Sequence, residues 1–289
     1  MINGTGSGIM RLIKLMRLLL FMGVFLLLAE RDAFGGISVT PKKLFLDPSK
    51  KAVPVFVTNP GQDESEVWID VKYGYVESDE SGKGVVVMDS SSGNESSSAL
   101  WVKPYPQRFI LPPGESQTVR FVAFPPPGLQ DGEYWARIII TGKPRKAPAS
   151  NSNIAVKGKA GISFSSAVGI PLYYRKGKVS TALSASDVGV TLSDSAIHVA
   201  INLTRLGNAA FIGTQTIRVV TSGGKVVQSQ ASNIVVFKTF AVREIIGRRK
   251  FPPGKYTLEV DITGRKSEAN EKSQIEVTPL RTSTSFDIP

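Results

Sequence analysis

From Gly36 onward the chain consists of short runs in which apolar and polar residues alternate, each closed by Pro, Gly or Asn, and no stretch carries a helical period. Ala52–Thr58 runs into the turn Asn59-Pro60-Gly61. Glu66–Tyr73 alternates cleanly, Arg108–Leu111 meets Pro112-Pro113-Gly114, and Gln117–Phe124 and Asp131–Ile140 follow. With Ile37–Val39 and Lys43–Leu46 ahead of them, these give some seven strands with turn signals roughly every 8–12 residues, the pattern of an immunoglobulin-like sandwich. Glu77–Ala99 is rich in Ser, Gly and Asp and reads as a surface excursion in which only Val85–Met88 is ordered.

The second half repeats the style. Ala196–Leu203 alternates, Gly207-Asn208 turns, and Thr214–Val220 leads to the hairpin signal Ser222-Gly223-Gly224. Phe251-Pro252-Pro253-Gly254 precedes a further run, Tyr256–Ile262, and Ser273–Val277 reads as the last strand before a polar tail to Pro289. A chain of 289 residues exceeds the ~100–200 of one domain. The expected fold is therefore all-β, two tandem immunoglobulin-like β-sandwich domains at 36–176 and 177–289.

Gly161–Arg175, reading GISFSSAVGIPLYYR, places Ile162, Phe164, Val168 and Ile170 at every second position with Ser166 among them. This spacing predicts a half-exposed strand. The preceding Gly142–Ala160 carries Lys143, Arg145, Lys146, Lys157 and Lys159 among Pro, Ser, Ala and Gly without any period, and is expected to be a long basic loop. A long edge strand with apolar side chains invites aggregation unless another chain pairs with it.

At the N-terminus, Arg11, Lys14 and Arg17 precede the apolar run Leu18–Ala29, which is shorter than the ~20 residues of a membrane span. With small residues at Ala33 and Gly35, residues 1–35 read as a signal peptide, so that the mature chain starts near Gly36 and is not membrane-embedded. Met10 or Met16 could equally be the true start. The segment removes four basic and two acidic side chains, so the formal charge of +11 falls by 2 to about +9. The positive charge lies on loops and accompanies no nucleic-acid motif, so a nucleic-acid partner is not expected.

Catalysis has little to stand on, and an enzyme is not expected. There is no cysteine, and the single histidine, His198, sits within an alternating run. No Gly-x-Ser-x-Gly elbow, phosphate loop or calcium-loop spacing occurs, so neither metal nor cofactor is expected.

Four segments in order and spacing carry a resemblance: Ile37–Val39, Arg108–Arg120 (RFILPPGESQTVR), Asp131–Trp135 (DGEYW) and Ile170–Arg175 (IPLYYR). From Gly36 to Arg175 the chain resembles the periplasmic pilus-assembly chaperones of the PapD-like family, whereas the second domain matches only in size and strand content. The resemblance implies two immunoglobulin-like domains in a boomerang, located in the periplasm. It also implies a strand at 161–175 lent to fimbrial subunits that lack one, so that the chaperone caps pilus subunits and delivers them to an outer-membrane usher. The donor side chains would be Ile162 and Phe164, with Ser166, Val168 and Ile170 completing the strand's contacts; self-dimerisation through the same strand is a further possibility. The family anchors the subunit's terminal carboxylate with two basic residues. Lys43 matches the first, but Pro171 stands where the second, a lysine, is expected. Glu133 and Arg175 match a structural ion-pair network at the domain junction. The alternative is a secreted two-domain structural or adhesive protein that keeps the fold without capturing subunits.

Overall fold

In this computed structural model the described residues are 36–89, 96–145, 165–264 and 275–289. The first half contributes β1 (Ser38–Thr40), β2 (Leu44–Leu46), β3 (Ala52–Thr58), β4 (Ser65–Ser78), β5 (Gly84–Asp89), β6 (Val102–Tyr105), β7 (Arg108–Leu111), β8 (Ser116–Ala123), β9 (Gly132–Pro144) and β10 (Ser166–Lys176). The second contributes β11 (Ser180–Leu192), β12 (Ala196–Gly207), β13 (Phe211–Thr221), β14 (Val226–Val236), β15 (Thr239–Gly247), β16 (Gly254–Gly264), β17 (Glu276–Val277) and β18 (Leu280–Ile288). Among the described residues the only helix is a single 3₁₀ turn at Arg248–Lys250, and none is long and apolar enough to cross a membrane.

Each half is a sandwich of two sheets. The first packs β1-β3-β8-β6 against β2-β10-β9-β4-β5, with β7 also on β4; the second packs β15-β12-β11-β17 against β14-β13-β16-β18. Period-2 alternation builds both cores. In β3 Val53, Val55 and Val57 turn inward, in β8 Val119, Phe121 and Ala123 do, and they share one cluster with Ile138 and Ile140 of β9 and Ile170, Leu172 and Tyr174 of β10. The second core gathers Ile197, Val199, Ile201 and Leu203 of β12 with Ile217 and Val219 of β13 and Leu258, Val260 and Ile262 of β16.

Several expectations need correction. Gly142–Pro144 belongs to β9 rather than to a loop, and the rest of the expected basic loop, from Lys146, lies outside the described residues. The polar tail is an edge strand: β18 pairs antiparallel with β16 from Gly254↔Ile288 to Ile262↔Leu280. Its half-buried face is Leu280, Thr282, Thr284 and Phe286, where the threonines hide the apolar period. The Ser-rich excursion also returns to the core. Trp135 N–H donates to Ser96 O at 2.8 Å, Ser98 N–H donates to Trp135 O at 2.9 Å, and Ser98 is fully buried. The signal segment 1–35 lies outside the described residues.

Several contacts join the sandwiches among the described residues, including the Glu133 N–H donating to Asn208 O at 2.9 Å, and two of them are extended clusters. In the first, Glu133 of β9 holds three donors with one carboxylate: Arg175 Nε at 2.6 Å, Trp135 Nε1 at 2.7 Å, and the backbone N–H of Ala210 from the second domain at 3.0 Å. The Glu133 and Arg175 side chains are 0% and 8% exposed. Phe237, at the β14–β15 turn, inserts beside this pair. It lies edge-on to Trp135 at 4.9 Å and stacks at 6.2 Å on Tyr173, which stacks in turn on Phe45 at 5.1 Å.

In the second contact, the β4–β5 hairpin leaves the first sandwich and leans on β15. Ala241 N–H donates to Ser78 Oγ at 2.7 Å, and Lys238 Nζ donates to Tyr75 Oη at 3.0 Å while lying 4.2 Å from its ring centre. Gly82 is required at the hairpin tip: its φ is +81°, and a Cβ there would lie 2.6 Å from Arg243 N.

Removing one partner of a buried, hydrogen-bonded ion pair strands the other, at a cost of about 3–5 kcal/mol. Glu133→Ala is therefore expected to lower unfolding stability by about that much in a urea titration. A loss below about 1 kcal/mol would mean that water replaces the carboxylate and that the junction is not held there.

Candidate functional site

The strand expected at Gly161–Arg175 is described from Ser166. β10 pairs with β9 along its whole length, from Ser166↔Gly142 to Lys176↔Gly132. On its other side β2 pairs only with Leu172–Tyr174. Among the described residues no strand pairs with that side of Ser166–Pro171, which presents a free edge, because the chain ahead of β2 crosses to the opposite sheet, where β1 pairs with β3. One contact touches the start of that edge, the Ile37 N–H donating to Ser166 Oγ at 3.2 Å.

Side-chain direction along this edge differs from expectation. Ser166, Val168 and Ile170 face inward: Ser166 and Val168 are half-buried, Val168 packs on the first core, and Ile170 is 1% exposed within it. Ile170 is thus a core residue and not an exposed contact for another chain. The residues shown to solvent are Ala167 and Gly169, so the described part of the strand offers a backbone edge with a small outer face. Ile162 and Phe164 lie outside the described residues.

Where the free edge ends, a row of basic side chains crosses the sheet. Lys43 immediately precedes β2 and is half-buried; continuing the Leu44↔Leu172 register by one residue sets it beside Pro171. Pro171 pairs with Arg137, and Arg137 with Lys72. Directly paired residues share a face, and this face also carries Trp135, Tyr173 and Arg175, so it turns toward Phe237 and the second domain. Burial and the nearby Glu133 carboxylate push the Tyr173 phenol far up, keeping it neutral. Burial also lowers the pKa of the Arg137 guanidinium. Sequence reasoning missed Arg137, which in an alternating strand looks like an ordinary solvated cation; the signal available was its position opposite Pro171 once the strands are paired.

Nothing described resembles a reaction centre. His198 Nε2 lies 3.2 Å from Ser193 Oγ on an exposed hairpin. No group of three or more His, Cys, Asp or Glu side chains that could hold a metal occurs among the described residues. The site's assets are a free strand edge, an aromatic floor and a basic row.

No family model matches the chain, and no curated protein matches it. Among solved structures it is similar to the CsuC–CsuE chaperone–tip adhesion subunit pre-assembly complex from archaic Csu pili of Acinetobacter baumannii, at 15% identity over 84% of this chain and 99% of the other, with a TM-score of 0.43. It is similar to the class 5 fimbriae chaperone CfaA at 14% identity over 88% and 100%, with a TM-score of 0.42. It is also similar to the Salmonella enterica SafA pilin–SafB chaperone complex at 12% identity over 86% and 96%, with a TM-score of 0.39.

Proposed function

We propose that this protein is a non-enzymatic periplasmic chaperone that captures pilus or fimbrial subunits by lending them the strand that ends in β10, and hands them on for fibre assembly at an outer-membrane usher. The observation that carries the reading is the free edge at Ser166–Pro171, held rigid on one side by β9. Backbone N–H and C=O groups on such an edge give affinity to any extended segment, and alternate side chains give specificity. In the sequence, Ile162 and Phe164 share the period of Ser166, Val168 and Ile170, and their apolar side chains suit an incomplete sandwich.

The junction supports the same reading. A lent strand can cap a subunit only if its own domain does not give way, and Glu133 and Phe237 fix the sheet that bears β10 against the second sandwich. The cationic row at Lys43, Arg137 and Lys72 suits a partner that brings negative charge to the end of the strand.

Co-purification with the products of neighbouring genes, from periplasm and through a tag after Pro289, tests the proposal. A one-to-one complex with a small strand-deficient subunit is expected, and Phe164→Asp, folded as judged by circular dichroism, should lower the recovered subunit at least about tenfold, since burying one Phe side chain contributes ~1.5–3 kcal/mol. Normal recovery with that variant would overturn the donor role of Phe164. A monomer or self-dimer without any subunit would favour a structural or adhesive role. Lys43→Ala should weaken capture while moving the thermal midpoint by no more than about 2 °C. A large drop in the midpoint would make Lys43 a structural residue instead.

A further inference from the structure

The first sandwich has a second open sheet edge, at β5, and its apolar run carries none of the usual protections. Among the described residues β5 pairs with β4 alone, in unbroken register from Ser78↔Gly84 to Tyr73↔Asp89. Val85, Val86 and Met88 are exposed, Val86 to 55%, and the run Val85–Met88 holds no charge, proline or bulge that would keep another strand away. A backbone edge lined by apolar side chains is a template for a further strand.

The hairpin fixes which backbone groups face outward. Asp79 N–H donates to Lys83 O at 2.9 Å, and hydrogen-bonded pairs recur at every second residue of an antiparallel ladder, so Val85, Val87 and Asp89 turn their backbone groups to β4. The N–H and C=O groups of Gly84, Val86 and Met88 point to the open side. An occupant that satisfies them is a second copy of the same strand. With the two copies antiparallel and centred on Val86, Val86 faces its own copy and Gly84 faces Met88 of the other, so all the outward groups are paired. Met88 then lies across a position with no side chain, and Val85 meets Val87 on the other face, so that no bulky residues collide. The same register sets position 83 opposite position 89 at both ends, lysine against aspartate in the sequence, whereas parallel pairing would set like charges together.

We propose that β5 is a self-association edge, at which two copies of the chain pair antiparallel about Val86 and continue the β2-β10-β9-β4-β5 sheet from one molecule into the next. Pairing covers the apolar run in both copies. The open side of β10 lies at the other end of that strand order, so a β5 dimer leaves it uncovered. That each half of the dimer can still capture a subunit rests on the function proposed above; the pairing itself rests on β5 alone.

The chain has no cysteine, so single cysteines placed in the whole mature protein report the pairing directly. Directly opposed residues of a hydrogen-bonded antiparallel pair have Cα atoms about 5.5 Å apart, within reach of a disulfide. Under mild oxidation Val86→Cys is expected to give at least about ten times as much disulfide dimer as Val85→Cys or Met88→Cys, whose copies stand out of register. In sedimentation equilibrium the unmodified protein should associate reversibly as its concentration is raised, and Val86→Lys, with unchanged circular dichroism and thermal midpoint, should weaken that association at least about tenfold. A protein that stays monomeric, or equal crosslinking at the three positions, would overturn the proposal. So would association that survives Val86→Lys and is lost with Gly169→Lys, which would move the contact to β10. Co-expression of the Val86→Cys dimer with a subunit separates this pairing from the function it is joined to, two subunits per dimer being expected. Capture by the reduced monomer and not by the crosslinked dimer would overturn the open-edge consequence. Capture by neither, with the crosslink formed, would count against the proposed function and leave the β5 pairing standing.

Discussion

One buried carboxylate organises the molecule. Glu133 accepts from Trp135 and Arg175 in the first sandwich and from the Ala210 backbone in the second, and all three donors are satisfied without water. Such a group is stable only as a complete set, because a buried charge that loses a partner keeps its full desolvation cost. The junction therefore has one low-energy arrangement, and Phe237 packs into it between Trp135 and Tyr173. The chain then runs on through Gly177 and Lys178, where the Lys178 N–H donates to Asp131 at 3.0 Å and keeps the linker on the same face.

That rigidity gives the free edge its meaning. β10 is anchored by Glu133↔Arg175 at one end of its register with β9, and pairs with β2 for only three residues in its middle. Beyond them, from Pro171 back to Ser166, β9 is the only described strand that pairs with it. An edge with this much order loses little conformational entropy when a further strand adds to it. Its outward side chains, Ala167 and Gly169, let another backbone approach closely. The basic row lies where the edge meets β2, so charge and backbone pairing would act together on a segment docked there.

Much of this was legible in the chain itself. Alternation located β3, β4, β8, β9, β12, β13 and β16, since each buries one face against a packed core. What escaped were elements whose order comes from elsewhere. Thr282 and Thr284 stand where apolar residues would have marked β18, and its pairing with β16 fixes it. Ser96–Ser98 looks like solvent-facing chain, yet the Trp135 backbone draws it in. Along β10 the period was read correctly but its direction was not: Ile170 faces the core because Leu172 and Tyr174, two and four residues on, are locked there. Arg137 was invisible for another reason, as the burial of its Nε without a hydrogen-bond partner appears only when β4, β9 and β10 are placed side by side.

The central claim is that the Ser166–Pro171 edge is where another chain pairs, and amide hydrogen exchange tests it most directly. Rates would be measured for Ser166–Ile170 in the protein alone and in its complex with a co-expressed subunit. The amides pointing away from β9 should exchange freely in the first case and slow at least about a hundredfold in the second, while those bonded to β9 stay protected in both. Unchanged rates at the outward amides in a stable complex would contradict the account and move the contact to another surface.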